Sequence, residues 1–243
     1  MKKIFLVAAA AAAGLAVSAV AARKYVSDVF QTSKGNLKIS LPGHATIFFE
    51  FGGKTVWVDP IMPYVLVPDN PPKADLILIT HEHGDHLDLE GISTVRTLKT
   101  AFVYPAKCAE KLSGGKIMAN GDKSAILEIP IEAVPAYNAI GMRSPGVPFH
   151  PKGVGNGYIL TFGGLRVYVA GDTENVPEVK ALKNIDVAIL PLLKPYTMSE
   201  EMLADAAKAI RPKVLYVYHT RTEDFSKLKS LLKGSGIDLR VRS

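Results

Sequence analysis

Short apolar runs that stop on a histidine or an aspartate recur along this chain, and they restrict its fold more than any other feature. "DLILIT" (75–80) runs into His81, "TVWV" (55–58) into Asp59, "LRVYVA" (165–170) into Gly171 and Asp172, and "VLYVY" (214–218) into His219. Apolar runs this short, rich in β-branched and aromatic residues and bounded by turn residues, read as buried strands. "ATIFFEF", "AFVYP", "AILEI", "EAVPAY", "YILTF" and "DVAIL" extend the series, and Gly52-Gly53 and Gly163-Gly164 join two pairs of runs at hairpin spacing. Strands of this kind stack into sheets. If their tips share one edge, the polar residues that end them converge there, as a metal or catalytic site requires.

Helices are fewer and cluster late. In "TMSEEMLADAAKAIRP" the spacing predicts Thr197 as N-cap with Glu200 three residues on, and Pro212 as the stop. "TEDFSKLKSLLKG" puts Phe225, Leu228, Leu231 and Leu232 on one face, with Gly234 at its end. Two more helices are expected within 89–99 and around 107–113. Many strands with a few amphipathic helices predict an α/β chain of sheets packed together and covered by helices outside.

The length of 243 residues suits one well-packed domain, expected from about residue 36 to 243. Residues 1–22 differ in kind: Lys2 and Lys3 precede an apolar, alanine-rich stretch, and Ala19-Val20-Ala21 offers small residues at a cleavage position. This pattern reads as a secretory signal, with an uncleaved membrane anchor as the alternative. It places the protein in the periplasm or outside the cell, or on the membrane if the segment stays. Cys108 is the single cysteine, so no intramolecular disulfide forms, and without a neighbouring histidine it reads as a packed residue and not a nucleophile. The formal charge of +6 is scattered, with no basic run, which argues against a nucleic-acid partner. A small-molecule or lipid-derived substrate is expected instead, and an anionic one suits a cleft that holds cations. Composition says nothing about oligomeric state.

Half of the six histidines lie in "HEHGDH" (81–86). In an extended segment i and i+2 face the same way, so His81 and His83 can hold one ion. Gly84 lets the chain bend, and Asp85 and His86 then reach a second. Imidazole with carboxylate suits zinc, and manganese or iron would also be accepted. The helical pattern H-E-x-x-H fails, because Asp85 stands where its second histidine belongs. "GVGNG" (153–157) precedes a strand instead of opening a helix, so it reads as a turn and not as a dinucleotide loop. Lys194 and Tyr196, in "PLLKPYTM", follow a strand and are candidates for substrate contact.

"THEHGDHLD", together with "GHATIFFEFGGKTVWVDP", "PAYN", "FHPKGVGNGYILTFGGLRVYVAGDTENVPEV" and "YVYHT" in that order, resembles the metallo-β-lactamase-fold hydrolases. Within them the likeness is to the branch related to ascorbate-6-phosphate lactonase and N-acyl-phosphatidylethanolamine phospholipase D. The resemblance implies a four-layer αββα sandwich of two mixed sheets packed face to face. It also implies two zinc ions, with His81 and His83 on the first, Asp85, His86 and His219 on the second, and Asp172 bridging both. Asp59 and His44 would support ligands from behind. The third ligand of the first ion departs from the family's pattern: Asn138 stands where a histidine is usual, and His150 is the other candidate, favoured because imidazole holds zinc better than an amide oxygen.

The implied chemistry is hydrolysis of a lactone, ester or phosphodiester by a metal-bound hydroxide aimed by Asp85 and Asp172. Two alternatives stand beside it: a mononuclear iron oxygenase on the same fold, and a non-catalytic exported metal-binding protein.

Overall fold

The computed structural model describes residues 25–62 and 70–241. The signal or anchor expected at 1–22 lies outside them. No helix among the described residues is long and apolar enough to cross a membrane.

Seven strands form the first sheet in chain order: β1 (Val26–Thr32), β2 (Gly35–Gly43), β3 (Thr46–Phe51), β4 (Lys54–Val58), β5 (Leu76–Leu78), β6 (Ala101–Tyr104) and β7 (Lys116–Ile117). It is antiparallel from β1 to β4 and parallel from β4 to β7. The chain then makes β8 (Lys123–Ile126), β9 (Ile129–Ala136) and a separate small hairpin, β10 (Met142–Ser144) with β11 (Val147–Pro148). After it come β12 (Gly155–Phe162), β13 (Leu165–Val169), β14 (Val187–Leu192), β15 (Val214–Thr220) and β16 (Asp238–Val241). The second sheet has the order β16-β15-β14-β13-β12-β9-β8. It too is mixed: β8, β9, β12 and β13 are antiparallel neighbours, and β13 to β16 run parallel.

The sheets pack face to face. Leu37, Ile39, Phe49, Val56 and Leu78 from the first interlock with Leu160, Phe162, Val167, Ile189 and Tyr216 from the second. Phe49 and Phe162 meet across the layer with ring centroids 5.2 Å apart. Burying each such side chain contributes about 1.5–3 kcal/mol. Helix α1 (Leu89–Val95) and a 3₁₀ turn (Ala106–Glu110) cover the outer face of the first sheet. Helices α2 (Pro177–Lys180), α3 (Glu200–Ile210) and α4 (Ser226–Leu231) cover the second. The result is the αββα sandwich, as expected.

Several local readings shift. The folded unit begins at β1, ahead of residue 36, because "VSDVFQT" is an edge strand whose half-polar sequence carries little strand signal. "AILEI" is two strands, not one. Leu127 and Glu128 take left-handed φ values of 53° and 63° and turn β8 back into β9. Ser199, not Thr197, caps α3 by accepting from the Met202 amide, while Thr197 Oγ1 accepts from the Leu193 amide. The helix expected around 107–113 is the 3₁₀ turn.

Candidate metal centre

The strand tips share one edge, and the residues singled out from the sequence meet there. His44 follows β2, Asp59 follows β4, His81–His86 lie in the loop after β5, Asn138 follows β9, Asp172 follows β13, and His219 lies within β15. Three of them are held in left-handed backbone: His44 at φ 46°, Asp59 at 45° and His219 at 48°. Such conformations cost about 1–3 kcal/mol each and persist where the surroundings hold them. At His219 the pairing of β14 with β15 shifts register, and the freed amide donates to the His44 carbonyl at 2.8 Å, tying one sheet to the other. The bend in "HEHGDH" is made by the amides of His86 and Leu87, which both donate to the His83 carbonyl at 3.0 and 2.8 Å. Gly84 needs no left-handed angle to accommodate it.

Three overlapping sets of donor atoms result: His81, His83 and His150; His44, Asp85, His86 and His219; and His81, His86 and Asp172. Within each set the atoms lie within 4.8 Å of one another. Asp172 sits between the histidines, with Oδ1 3.3 Å from His86 Nε2 and Oδ2 3.3 Å from His150 Nε2. Asp85 Oδ2 is 3.2 Å from His44 Nε2 and 3.5 Å from His219 Nε2.

The choice between Asn138 and His150 has a geometric answer. Asn138 Oδ1 accepts from the His150 amide at 3.0 Å and lies 2.6 Å from His150 Nδ1, and its Nδ2 donates to the Tyr196 carbonyl. Its oxygen is occupied by His150, whose Nε2 faces His83 Nδ1 at 3.2 Å. His150 joins the donor set, and Asn138 orients it. Asp59 does the same for His86: fully buried, it accepts from His86 Nδ1 at 2.7 Å, from the Thr80 hydroxyl at 2.6 Å and from the Thr80 amide at 2.8 Å. Carboxylate and amide partners behind an imidazole fix its tautomer and aim the other nitrogen.

The electrostatics suit cation binding. Burial, with His86 nearby, holds the His81 pKa well below the usual imidazole value. Burial likewise pushes His150 down to about 4, against the pull of Asp172. Both rings are therefore neutral at pH 7 with a lone pair to give. Burial opposes ionisation of Asp172, yet His219 and His86 hold its carboxyl well below the usual range. Asp85 is held low in the same way by His219 and His44. His86 runs the other way: Asp172 and Asp59 outweigh its burial and favour its protonated form, so a cation there would have to displace that proton.

A stricter test is which buried atoms go unsatisfied. His81 Nε2, His86 Nε2, both ring nitrogens of His219 and Asp172 Oδ1 are buried and make no hydrogen bond of good geometry, His86 Nε2 and Asp172 Oδ1 meeting only as an ion-pair contact at 3.3 Å. A buried polar group left unsatisfied costs about 1–3 kcal/mol, and these gather in one cleft. Cations held by imidazole and carboxylate would satisfy them together, so the residues present fit a metal centre.

The cleft outside the donors has a volume of about 290 Å³, and its wall includes Arg143, Phe149, Leu193, Tyr196 and Arg221. Tyr196 is thus at the cleft, as expected, while Lys194 lines a neighbouring cavity. "GVGNG" leads into β12, where a Cβ on Gly157 would stand 2.8 Å from the Ala170 carbonyl. Cys108 is buried in the layer beneath α1, and burial pushes its thiol up to about 12.

Several contributors were not read from the sequence. Thr80, next to His81, completes the Asp59 bonds. Glu174, in the "GDTE" segment, accepts from the amides of Ala139, Ile140 and Gly141 and so shapes the loop that leads from Asn138 into the β10–β11 hairpin. A carboxylate two residues after a ligand-like aspartate was the available signal for it.

An αββα sandwich with this histidine and aspartate set at one edge defines the metallo-β-lactamase-fold class of metal-dependent hydrolases. Residues 38–219 match the family described as the β-lactamase superfamily domain. A UPF0173 metal-dependent hydrolase of Pyrococcus furiosus is 32% identical over 214 residues, which cover 79% of this chain and 92% of that protein. The crystal structure of a protein from Parabacteroides distasonis, described as a metal-dependent hydrolase, superposes with a TM-score of 0.84 at 44% identity. That match covers 90% of this chain and 99% of the other. Igni18, a metallo hydrolase of Ignicoccus hospitalis, gives a TM-score of 0.69 at 26% identity over 84% of this chain and 94% of its own. The chain belongs to the β-lactamase superfamily and is one of its metal-dependent hydrolases.

Proposed function

We propose that this protein hydrolyses a lactone, ester or phosphodiester bond in a small molecule or lipid, with two divalent ions, zinc by preference, held in the cleft. The position of Asp172 carries the reading: one carboxylate oxygen faces His86, the other faces His150, and the aspartate stands between the two histidine sets. On this reading His81, His83 and His150 would hold one ion, Asp85, His86 and His219 would hold the other, and Asp172 would be available to both.

When bound, the ions supply Lewis acidity, lowering the pKa of water to roughly 7 and polarising a carbonyl or phosphoryl oxygen. The chain supplies the positioning. Asp85 and Asp172 orient the attacking water through their carboxylate oxygens. Asp59 and Asn138 fix the rings of His86 and His150, so donor geometry is set before substrate arrives. Phe149, Leu193 and Tyr196 give the cleft an apolar wall for the body of the substrate.

The test is metal analysis and turnover on the same sample. Protein stripped and reloaded with zinc or manganese is assayed on a γ-lactone, an aryl ester and a bis-aryl phosphodiester, with metal counted by mass spectrometry. Two equivalents of metal and turnover in at least one class are expected. Iron retained alone with oxygen consumption would move the assignment to redox chemistry, and ions bound without any turnover would favour a binding protein.

A further inference from the structure

Two arginines reach the same cleft from unrelated parts of the chain. Arg143 stands on the β10–β11 hairpin, and Arg221 follows His219 by two residues; both line the cavity of about 290 Å³ beside Asp85 and Asp172. Neither forms an ion pair with an acidic side chain among the described residues, and both are exposed. Arg221 also borders a second cavity of about 480 Å³, which shares Leu193 with the first, so it stands where the cleft continues outward.

The polar contact that the Arg143 side chain makes among the described residues is informative. Its Nη2 lies 3.4 Å from His83 Nε2, while His83 Nδ1 faces His150. A guanidinium only donates, so His83 Nε2 must be a bare acceptor for that contact to hold. Arg143 is thus held at the cleft by an imidazole and not by a carboxylate. Two divalent ions would also outweigh the charges of Asp85 and Asp172, leaving both arginines without a neutralising partner in the site.

We propose that Arg143 and Arg221 together bind an anionic oxygen group, carboxylate or phosphate, on the substrate, so that the cleft selects anionic molecules. The inference rests on the hydrolase reading above and narrows it. A planar guanidinium matches both oxyanions through paired N–H donors, and two from different elements fix orientation as well as charge. Phe149, Leu193 and Tyr196 line the same cavity and leave room for an apolar portion next to the anionic one.

The experiment uses the full chain loaded with zinc. Binding of phenylphosphonate is measured by calorimetry, and turnover of bis(4-nitrophenyl) phosphate is compared with that of the neutral ester 4-nitrophenyl acetate. Arg143→Ala and Arg221→Ala are each expected to weaken phenylphosphonate binding by about ten-fold or more at unchanged metal content. The loss on the phosphodiester, mainly in KM, should exceed the loss on the ester by a similar factor. Arg143→Lys and Arg221→Lys keep the charge without the fork and should recover part of the binding. Phenylphosphonate affinity within two-fold of wild type in both alanine variants overturns the inference, as does failure of the wild-type protein to bind it. Arginine-dependent binding without turnover of either substrate, or of a γ-lactone, would leave this inference standing and remove the proposed hydrolysis of lactone, ester or phosphodiester. Turnover of both substrates that neither alanine variant skews would do the reverse.

Discussion

Asn138 Oδ1 lies 2.6 Å from His150 Nδ1, and this one hydrogen bond decides which nitrogen of His150 faces the cleft. Asn138→Ala removes the acceptor and leaves the ring free to rotate. Loss of such an orienting partner typically costs about 10–100-fold in metal affinity, and that is the expected result from competition with a chromogenic chelator. Asn138→Asp keeps an oxygen at the same place and should retain most of the affinity.

Asp59 is a more demanding position. It accepts three hydrogen bonds with no exposure to water, and one of its donors is His86, equally buried. Asp59→Asn breaks the closer of the two carboxylate pairs of the His86 ring and leaves Asp172 on its other side. Breaking a buried pair by removing one partner costs about 3–5 kcal/mol, so denaturant unfolding should shift by that order in the metal-free protein.

Removal of metal should destabilise the fold even where no substrate is present. Buried ring nitrogens and a carboxylate oxygen lacking hydrogen bonds gather at the cleft. A ligand at a thousand times its Kd adds about 4 kcal/mol to the native state. Thermal unfolding with and without EDTA checks this. His81→Ala and His83→Ala should lose bound metal and turnover together and should unfold at the temperature of the stripped wild type; normal metal content and rates in both variants would sink the assignment of these ligands.

Cys108 gives a control outside the donor sets. Burial raises its thiol from 9.0 to about 12 in the folded chain. Because the folded value is the higher one, the protonated thiol favours the native state. That contribution is complete below pH 9 and is lost as pH climbs towards 12. At pH 8 a disulfide reagent should label native Cys108 about 100-fold more slowly than the denatured chain, since both protonation and burial oppose attack. Labelling at equal rates would refute the packing described.

The strand tips were legible because burial on both faces leaves nearly continuous apolar runs, and a histidine or aspartate at the end of one stands out. His81, His83, His86, Asp172 and His219 all announce themselves in this way. β1 did not, since an edge strand tolerates polar residues along its length. The turn at Leu127-Glu128 was hidden because neither residue belongs to the usual turn formers. Ser199 and Thr197 are both acceptable caps on paper, and what separates them is that Thr197 accepts from the Leu193 amide while Ser199 accepts from the Met202 amide. The partnership of Asn138 with His150 depends on ring orientation, which spacing does not encode. Arg143 and Arg221 look like any solvated charge until the fold brings them to one cavity.

Each of the three donor sets takes exactly one member from the later half of the chain: His219, His150 or Asp172. A cut between β7 and β8 would leave neither fragment with a complete set, so an ion seated here would act as a rivet through both layers. Any breathing motion that parts the sandwich along this edge would therefore have to surrender its cations first, and occupancy of the cleft becomes a gauge of whether the two halves are closed.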